Sequence, residues 1–496
     1  MLRIREVKTG SKKIAIQAFY YSNRKRIIVK HFGSSSIDVE LDKLRLIAIE
    51  FVKEYAGQLS IFPNENPNTY LLVDYSQCIG FYYSFFYSTI QKLMKEIGFV
   101  DLSIKLLLDL VVIRILEPAS KLRSIELLET YFGIVHRRQS YYREAKRCLI
   151  LKEQIQKTVL SFAKNTYSFD YSLLFYDVTT LYFETFESDE LRKTGFSKDS
   201  KSQQPQILVA LMVNKEGLPI SFDIFPGNIF EGHTIIPVIK SFIRQNNVKH
   251  FTVVADAAMI SSENIKELKK EKINYIVGAR LGNLSTEVFE KIDTLLTRKD
   301  KNSIRIETDK GYLICSYSTT RYRKDKYEMD KQLLKAQNII GSPSKHKKAK
   351  FVKANNEQLE LNQNLIIRAE KLLGLKGYYT DIDESILKSN EVIERYHELY
   401  KIEQAFRIAK SDLQTRPIFH FKEEPIKLHI LICFMALVIS KHIELATNVS
   451  IKRFITECKK ITDARMINTI TQKEIIIKGK ITEVVNAYLD KLNLSH

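Results

Sequence analysis

An α/β fold is predicted for the middle of this chain, on three observations. Short apolar runs bounded by turn residues recur from position 172 onward. An amphipathic stretch of helical period, Thr234 to Arg244, lies between two of them. Two of the runs close on an aspartate, Ser172-Leu-Leu-Phe-Tyr-Asp177 and Phe251-Thr-Val-Val-Ala-Asp256.

In order, the first run leads to a second strand, Ile207 to Val213, and a tight turn at Lys215-Glu-Gly217. A third strand, Leu218 to Phe225, closes at Pro226-Gly-Asn228. The helix, the Asp256 strand, a helix from a Ser262 cap to Lys272 and a strand starting at Tyr275 to Val277 follow. Three strands joined by short turns, then helix, strand, helix, strand, is the order of a ribonuclease-H-like core. Asp177 and Asp256 fall at what would be the carboxyl edge of its sheet, where α/β sites gather.

The flanks read differently. Residues 12–33 carry the alternation and Ser22-Asn23 turn of a β-hairpin, and a helix follows over 39–56, giving an N-terminal unit over 1–65. Pro63-Asn-Glu-Asn-Pro67-Asn68 reads as a linker. Residues 70–165 have helical spacing throughout, with Pro118 opening one helix and Gly133 closing it. Ser140 would cap a last helix carrying Arg143, Lys146 and Arg147 on one side, either as a groove-reading DNA-binding module or as a basic solvated face. The first part of the core spans 170–280. The interval from Asp256 to Glu403 far exceeds one crossover, so 281–385 is expected to be an inserted, β-rich subdomain. Its strands are Ser303 to Thr308 and Tyr312 to Ser316; a charged helix near 323–339 and a basic run of Lys345, Lys347, Lys348, Lys350 and Lys353 follow. Helical period returns over 390–413. The core's second part covers 390–445, and 446–496 reads as a C-terminal tail.

Composition limits the partners. The 496 residues are 45% apolar with 25 Tyr and 27 Phe, enough for large cores and unlike a disordered chain. A formal charge of +19 and pI ≈ 9.4 favour a polyanion or an anionic membrane. The longest apolar stretch, Leu428 to Ser440, contains His429 and falls short of the roughly 20 residues a span needs, so it reads as a buried helix. The opening Met-Leu-Arg-Ile-Arg-Glu has no apolar signal core, so nothing points to export and a cytoplasmic protein is expected. Cys78, Cys148, Cys315, Cys433 and Cys458 have neither zinc nor disulfide spacing.

An aspartate ending a buried strand is costly unless it is paired or binds a cation. Two on adjacent strands, with an acidic helix returning later, make a carboxylate cluster that suits Mg²⁺ or Mn²⁺ better than zinc. On the later helix Tyr396, Glu403 and Lys410 recur at heptad spacing, while Leu399, Ile402 and Phe406 are available for burial. The first three would either line a cleft or form a charged, solvated face.

The segment Tyr396-His-Glu-Leu-Tyr-Lys-Ile-Glu403-Gln-Ala-Phe-Arg407-Ile-Ala-Lys410 resembles the signature Y-x2-R-x3-E-x6-K of bacterial insertion-sequence transposases of the "IS four" superfamily, with Leu399 where that signature has arginine. Phe175-Tyr-Asp177-Val-Thr-Thr180, Gly195-Phe-Ser-Lys198-Asp199, Pro226-Gly-Asn228 and Ala255-Asp256-Ala-Ala-Met259 resemble the branch with a long insertion before the glutamate. Arg114-Ile-Leu-Glu-Pro-Ala-Ser-Lys121, Tyr142-Arg143 and Arg416-Pro417 fit the same branch. The resemblance covers about residues 105–440.

It implies a DDE transposase in which Asp177, Asp256 and Glu403 bind two Mg²⁺ or Mn²⁺ ions and catalyse strand cleavage and transfer. Tyr396, Lys410 and Arg407 would contact DNA, as would Arg143, Lys146, Arg147 and Lys198. The loop that carries Lys198, Asp199 and Lys201 would lie either near the cleavage point or simply in solvent. The partners implied are double-stranded DNA and a second copy of the chain bound with it, and no membrane; the place implied is the bacterial cytoplasm, in association with the nucleoid. Two competing readings are a nuclease that cuts without joining and a catalytically silent DNA-binding descendant.

Overall fold

The computed structural model describes residues 2–22, 24–59, 76–196, 203–248, 250–259, 261–341, 349–355, 358–470 and 472–494. The linker at 63–68 and Lys345, Lys347 and Lys348 lie outside the described residues, as do Lys198, Asp199 and Lys201.

Along the chain run β1 (Arg3–Lys8), β2 (Ile14–Ser22), β3 (Lys25–Ser35), α1 (Asp38–Leu59) and β4 (Ser76–Tyr82). Five helices follow: α2 (Ser84–Ile97), α3 (Lys105–Leu116), α4 (Lys121–Phe132), α5 (Arg138–Ile150) and α6 (Lys152–Tyr167). Next come β5 (Leu173–Tyr182), β6 (Gln206–Val213), β7 (Pro219–Pro226), α7 (Ile235–Asn246), β8 (Thr252–Ala255), α8 (Ser262–Lys270) and β9 (Asn274–Ala279). The inserted segment holds α9 (Thr286–Leu295), β10 (Ser303–Thr308), β11 (Gly311–Tyr317), α10 (Thr319–Gly341), β12 (Val352–Asn355), β13 (Gln358–Leu361), α11 (Gln363–Lys371) and β14 (Leu375–Thr380). The chain ends with α12 (Ser389–His397), α13 (Tyr400–Arg407), α14 (Glu423–Thr447), α15 (Ile451–Cys458), β15 (Asp463–Asn468), β16 (Glu474–Ile477) and α16 (Glu483–Lys491).

Contacts divide the chain into two units, one of residues 1–85 with 459–482, the other of 86–458 with 483–496. In the first, β1-β2-β3 form an antiparallel sheet, and Leu41 and Ala48 of α1 pack on Ile16. The expected hairpin is there, extended by β1. A second sheet, β16-β15-β4, joins segments far apart in sequence. Residues 446–496 are therefore not a tail: β15 pairs with β4, and α16 packs on α14 and α15 in the other unit's own core.

The second unit is built on an eight-stranded mixed sheet of order β10-β11-β14-β9-β8-β5-β6-β7. Antiparallel β5, β6 and β7 are followed by β8 and β9, each parallel to its neighbour, in the order expected from the sequence. β6, Gln-Ile-Leu-Val-Ala-Leu-Met-Val, is buried along its whole length, as a central strand covered on both faces must be. On α7, Ile235, Val238, Ile239 and Phe242 are buried at helical spacing.

Two expected boundaries change. The insertion is no separate β-rich body: β14, β11 and β10 continue the main sheet antiparallel to β9, covering an edge that would otherwise expose unpaired backbone. Nor are residues 70–165 a domain apart, since 86–167 belong to the unit that carries the sheet. The reason is composition. α3 is buried along nearly its whole surface and α14 likewise, so each needs cover on every side; they pack on one another, and α14 also packs on α5 and β7. By length and composition α14 could cross a membrane, but 83% of its most apolar window is buried in this packing, as a core helix requires.

Helix caps also shift. Ser120, not Pro118, caps α4 by accepting from the Arg123 amide, and Gly133 closes it at φ 68. α5 starts before Ser140, with Arg137 at its cap position, and Ser261 rather than Ser262 caps α8.

Candidate active site

β5 does not end at Asp177. It runs on to Tyr182, and Asp177 sits mid-strand opposite Leu211 of β6. The β-branched run Val178-Thr-Thr180 continues the strand past the acid. What ends near Asp177 is its parallel neighbour: Tyr176 pairs with Ala255, so the next register position puts Asp177 beside Asp256. Two carboxylates thus stand on adjacent strands where the parallel pairing stops. The Asp177 side chain accepts from the Val178 amide at 2.7 Å, and that of Asp256 from the Ala257 amide at 2.7 Å.

The stretch expected as one helix over 390–413 is three pieces. α12 ends at His397, i→i+3 bonds from Leu399 to Tyr396 and from Ile402 to Leu399 tighten the chain, and after α13 a π-turn runs over Ile408–Asp412. Heptad arithmetic fails across such junctions, because it presumes uniform turns. Tyr396 is 7% exposed, Glu403 is exposed and Lys410 is half-buried. Leu399, at the signature's arginine position, is buried in the junction and serves packing.

Tyr396 has a specific partner: its hydroxyl donates to Asp256 Oδ1 at 3.3 Å. The approach depends on Gly278 of β9, where an added Cβ would stand 2.6 Å from that hydroxyl oxygen. The Tyr378 ring meets the Tyr396 ring at 4.9 Å, edge to face, and its hydroxyl lies 3.1 Å from His397 Nε2. Burial raises the Tyr396 phenol above its ordinary pKa, and the charges of Asp256 and Glu403 push the same way.

Sequence reasoning missed Lys376. This residue of β14 places Nζ 4.7 Å from the Tyr396 ring centroid. Burial lowers its pKa, helped by Arg321 and opposed by Asp256 and Glu403. The charges of both acids therefore act on the same ammonium and the same phenol. The one available signal was a lysine inside the strand-like run Leu375-Lys-Gly-Tyr-Tyr-Thr380. Its relevance depends on β14 pairing with β9, which no local pattern specifies.

α13 packs on β5 and β6, and Lys410 lines an apolar cavity of ≈ 40 Å³ with Thr179, Leu181 and Phe406. Thr179 is two residues beyond Asp177, on the same face of β5. Arg407 is exposed, and its charge opposes the upward shift that burial imposes on Asp412. Arg143, Lys146 and Arg147 are exposed on α5, whose Tyr141, Ala145 and Cys148 are buried; Lys146 lies 3.8 Å from Glu424. Gly195 and Gly227 serve packing, since Gln206 Nε2 donates to both Phe196 O and Gly227 O and a Cβ at either glycine would clash. His429 is a core residue, bonded to the Thr415 carbonyl at 2.9 Å.

In donor type the three carboxylates fit a hard divalent cation, with no thiol or imidazole among them. Among the described residues, however, no group of three or more His, Cys, Asp or Glu side chains is gathered closely enough to hold a metal ion.

Residues 168–439, more than half of the chain, match the family model described as transposase DDE domain. No curated protein matches the chain. Among solved structures, a piggyBac transposase synaptic complex with hairpin DNA aligns at 11% identity and a TM-score of 0.40, over 71% of this chain and 68% of that one. The matched segment contains β5 through α13, and with them Asp177, Asp256, Lys376, Tyr396 and Glu403. The chain belongs to the transposase DDE domain family.

Proposed function

We propose that the chain is a DNA transposase of the "IS four" type that binds the ends of an insertion sequence, cuts them and joins them to new DNA, acting in the cytoplasm as a dimer assembled on DNA. The observation that carries this reading is the position of Asp177 beside Asp256 where the parallel strands β5 and β8 part. Asp177, Asp256 and Glu403 would hold two Mg²⁺ or Mn²⁺ ions. Bound there, the ions would supply Lewis acidity for activating a water or 3′-hydroxyl and for stabilising a leaving 3′-oxygen.

The chain's own residues have separable tasks. Tyr396 holds Asp256 by its hydroxyl and so orients one carboxylate. Lys376 brings positive charge next to Asp256 and Glu403 and would offset the phosphate's charge as it enters. Lys410, Arg407 and the α5 cations Arg143, Lys146 and Arg147 would hold the DNA backbone, an affinity that falls steeply with salt.

The test uses full-length protein, Mg²⁺ and labelled duplexes taken from the DNA bracketing the gene. Nicked and strand-transfer products are expected from the wild type. Asp177→Ala, Asp256→Ala and Glu403→Ala should each lose both products while keeping duplex binding. Near-normal cutting by any one variant removes that residue from the set, and cutting without joining makes the protein a nuclease.

A further inference from the structure

Two sequence stretches that the carboxylate site does not use, Arg114 to Lys121 and Arg416-Pro417, meet around one cavity of ≈ 120 Å³. Arg114 is 5% exposed; one nitrogen, Nη2, donates to the Ala119 carbonyl at 3.0 Å, while Nε is buried with no hydrogen-bond partner. Lys121, the first residue of α4, is 7% exposed, and its Nζ stands 3.7 Å from the Tyr141 ring centroid. Arg416 and the amino end of α4 complete the wall, and no carboxylate lines it among the described residues. Burial, then the charges of Lys121 and Arg114, pulls His420 down to about 3, so that imidazole is neutral. Burial and the Arg114 charge also pull the Lys121 ammonium well down, so the fixed positive charge is the Arg114 guanidinium, and an entering anion would favour the charged form of the lysine. A buried guanidinium with no counter-charge among the described residues, beside a lysine that an anion would charge and at a helix amino terminus, makes an anion site.

The cavity shares Ser120, Lys121, Phe419 and His420 with a larger groove of ≈ 1110 Å³. Among the described residues, Arg138, Arg143, Lys146 and Lys422 line that groove, against a single acid, Glu424. Three aromatic rings also face it while remaining open to solvent: Tyr142 at 50%, Phe419 at 60% and Phe421 at 65%. Exposed rings interleaved with cations suit an unpaired strand, whose bases can stack and whose phosphates are neutralised. A duplex hides its base faces.

We propose that this groove seats an unpaired DNA strand, with one phosphate in the Arg114–Lys121 cavity and bases stacked on Tyr142, Phe419 and Phe421. The inference rests on the reading that the substrate is DNA, and it adds a second DNA site apart from the carboxylates.

The experiment measures binding of labelled oligothymidylate and of a duplex of equal length to the full-length chain, with inorganic phosphate as competitor. Phe419→Ala with Phe421→Ala, both on exposed rings, should weaken single-strand binding at least tenfold and duplex binding less than about threefold. Lys121→Gln should lower the salt slope for the single strand by about 0.7, the share of one phosphate. Because Lys121 is buried and its variant could misfold, Tyr142→Ala provides an independent surface readout of the same preference. Equal losses on single strand and duplex, or no loss on either, overturn the proposal. Inorganic phosphate stabilising the wild type without displacing the strand overturns it too, leaving a free-phosphate pocket only. A wild type that nicks duplex ends in Mg²⁺ but shows no single-strand preference refutes this inference and leaves the transposase reading standing. Strand binding that follows the pattern above without any cutting refutes only the transposase reading.

Discussion

Gly278→Ala probes how the Asp256 carboxylate is held. The backbone there accepts alanine, so the cost is steric: the new Cβ would meet the Tyr396 hydroxyl oxygen at 2.6 Å, and the Ala257 Cβ and amide nitrogen at 3.2 Å. Tyr396 is 7% exposed and edge-packed on Tyr378, so it cannot simply swing into water. Overpacking of this kind costs about 1–3 kcal/mol. Losing the bond to Asp256 adds ~1 kcal/mol and no more, because that carboxylate is exposed and water can replace the phenol. Tyr396→Phe deletes the nearest clashing atom, so in that background the glycine substitution should cost ~1 kcal/mol less or better. Urea denaturation of the wild type, both single variants and the double variant measures the coupling. A coupling below ~0.5 kcal/mol would mean that Tyr396 and Gly278 act independently and that the approach through β9 is wrongly drawn. In cleavage assays both single variants should lose activity while keeping duplex affinity.

Separate parts of the molecule supply further tests. Lys376→Met keeps a long side chain on the Tyr396 ring but removes the charge beside Asp256 and Glu403; single-turnover nicking should fall at least tenfold with little change in urea midpoint. His420, held neutral down to about pH 3 by burial, takes no proton in the folded state while the unfolded chain does below about 6.5. Its contribution to stability is therefore intact above about 6.5 and lost as pH falls toward 3, by ~1.4 kcal/mol per pH unit; His420→Gln should flatten that part of the urea-stability profile, and an unchanged slope counts against a buried neutral imidazole. Lys410→Ala should reduce the salt slope of duplex binding by about 0.9 without altering the Mg²⁺ requirement. A fragment of residues 84–165 should fail to fold cooperatively, because α3 would lose α14; a sharp thermal transition in that fragment would contradict the packing described.

Local pattern makes much of the sheet readable. β6, β7 and β9 have boundaries close to those expected because alternation, glycine turns and β-branched residues all act within a few positions. An acid in an apolar run looks like a terminus, which misplaces Asp177 at a strand end although Val178 to Leu181 continue the strand. The junction at 398–399 leaves no local mark, since Glu398 and Leu399 are both good helix formers and no glycine or proline signals the break. Contacts over long sequence separations are hidden as well: β14 beside β9, and hence Lys376 over the Tyr396 ring, depend on strands roughly a hundred residues apart choosing one another. The two aspartates and the glutamate are legible as residue types at suggestive positions. The phenol and ammonium near them are legible only in part, Tyr396 by its signature and Lys376 only as a lysine within a strand-like run.

The pairing of β4 with β15 has a consequence for how a newly made chain matures. Synthesis proceeds at about 5–20 residues per second, so roughly 380 residues, some 20–80 s of elongation, separate the two strands as they leave the ribosome. During that interval β4 has no neighbour, while the strands β5 to β9 can already find theirs. The sheet that closes the first unit is thus the last to form, and a chain stopped short of Asp463 would carry the carboxylates without ever completing it.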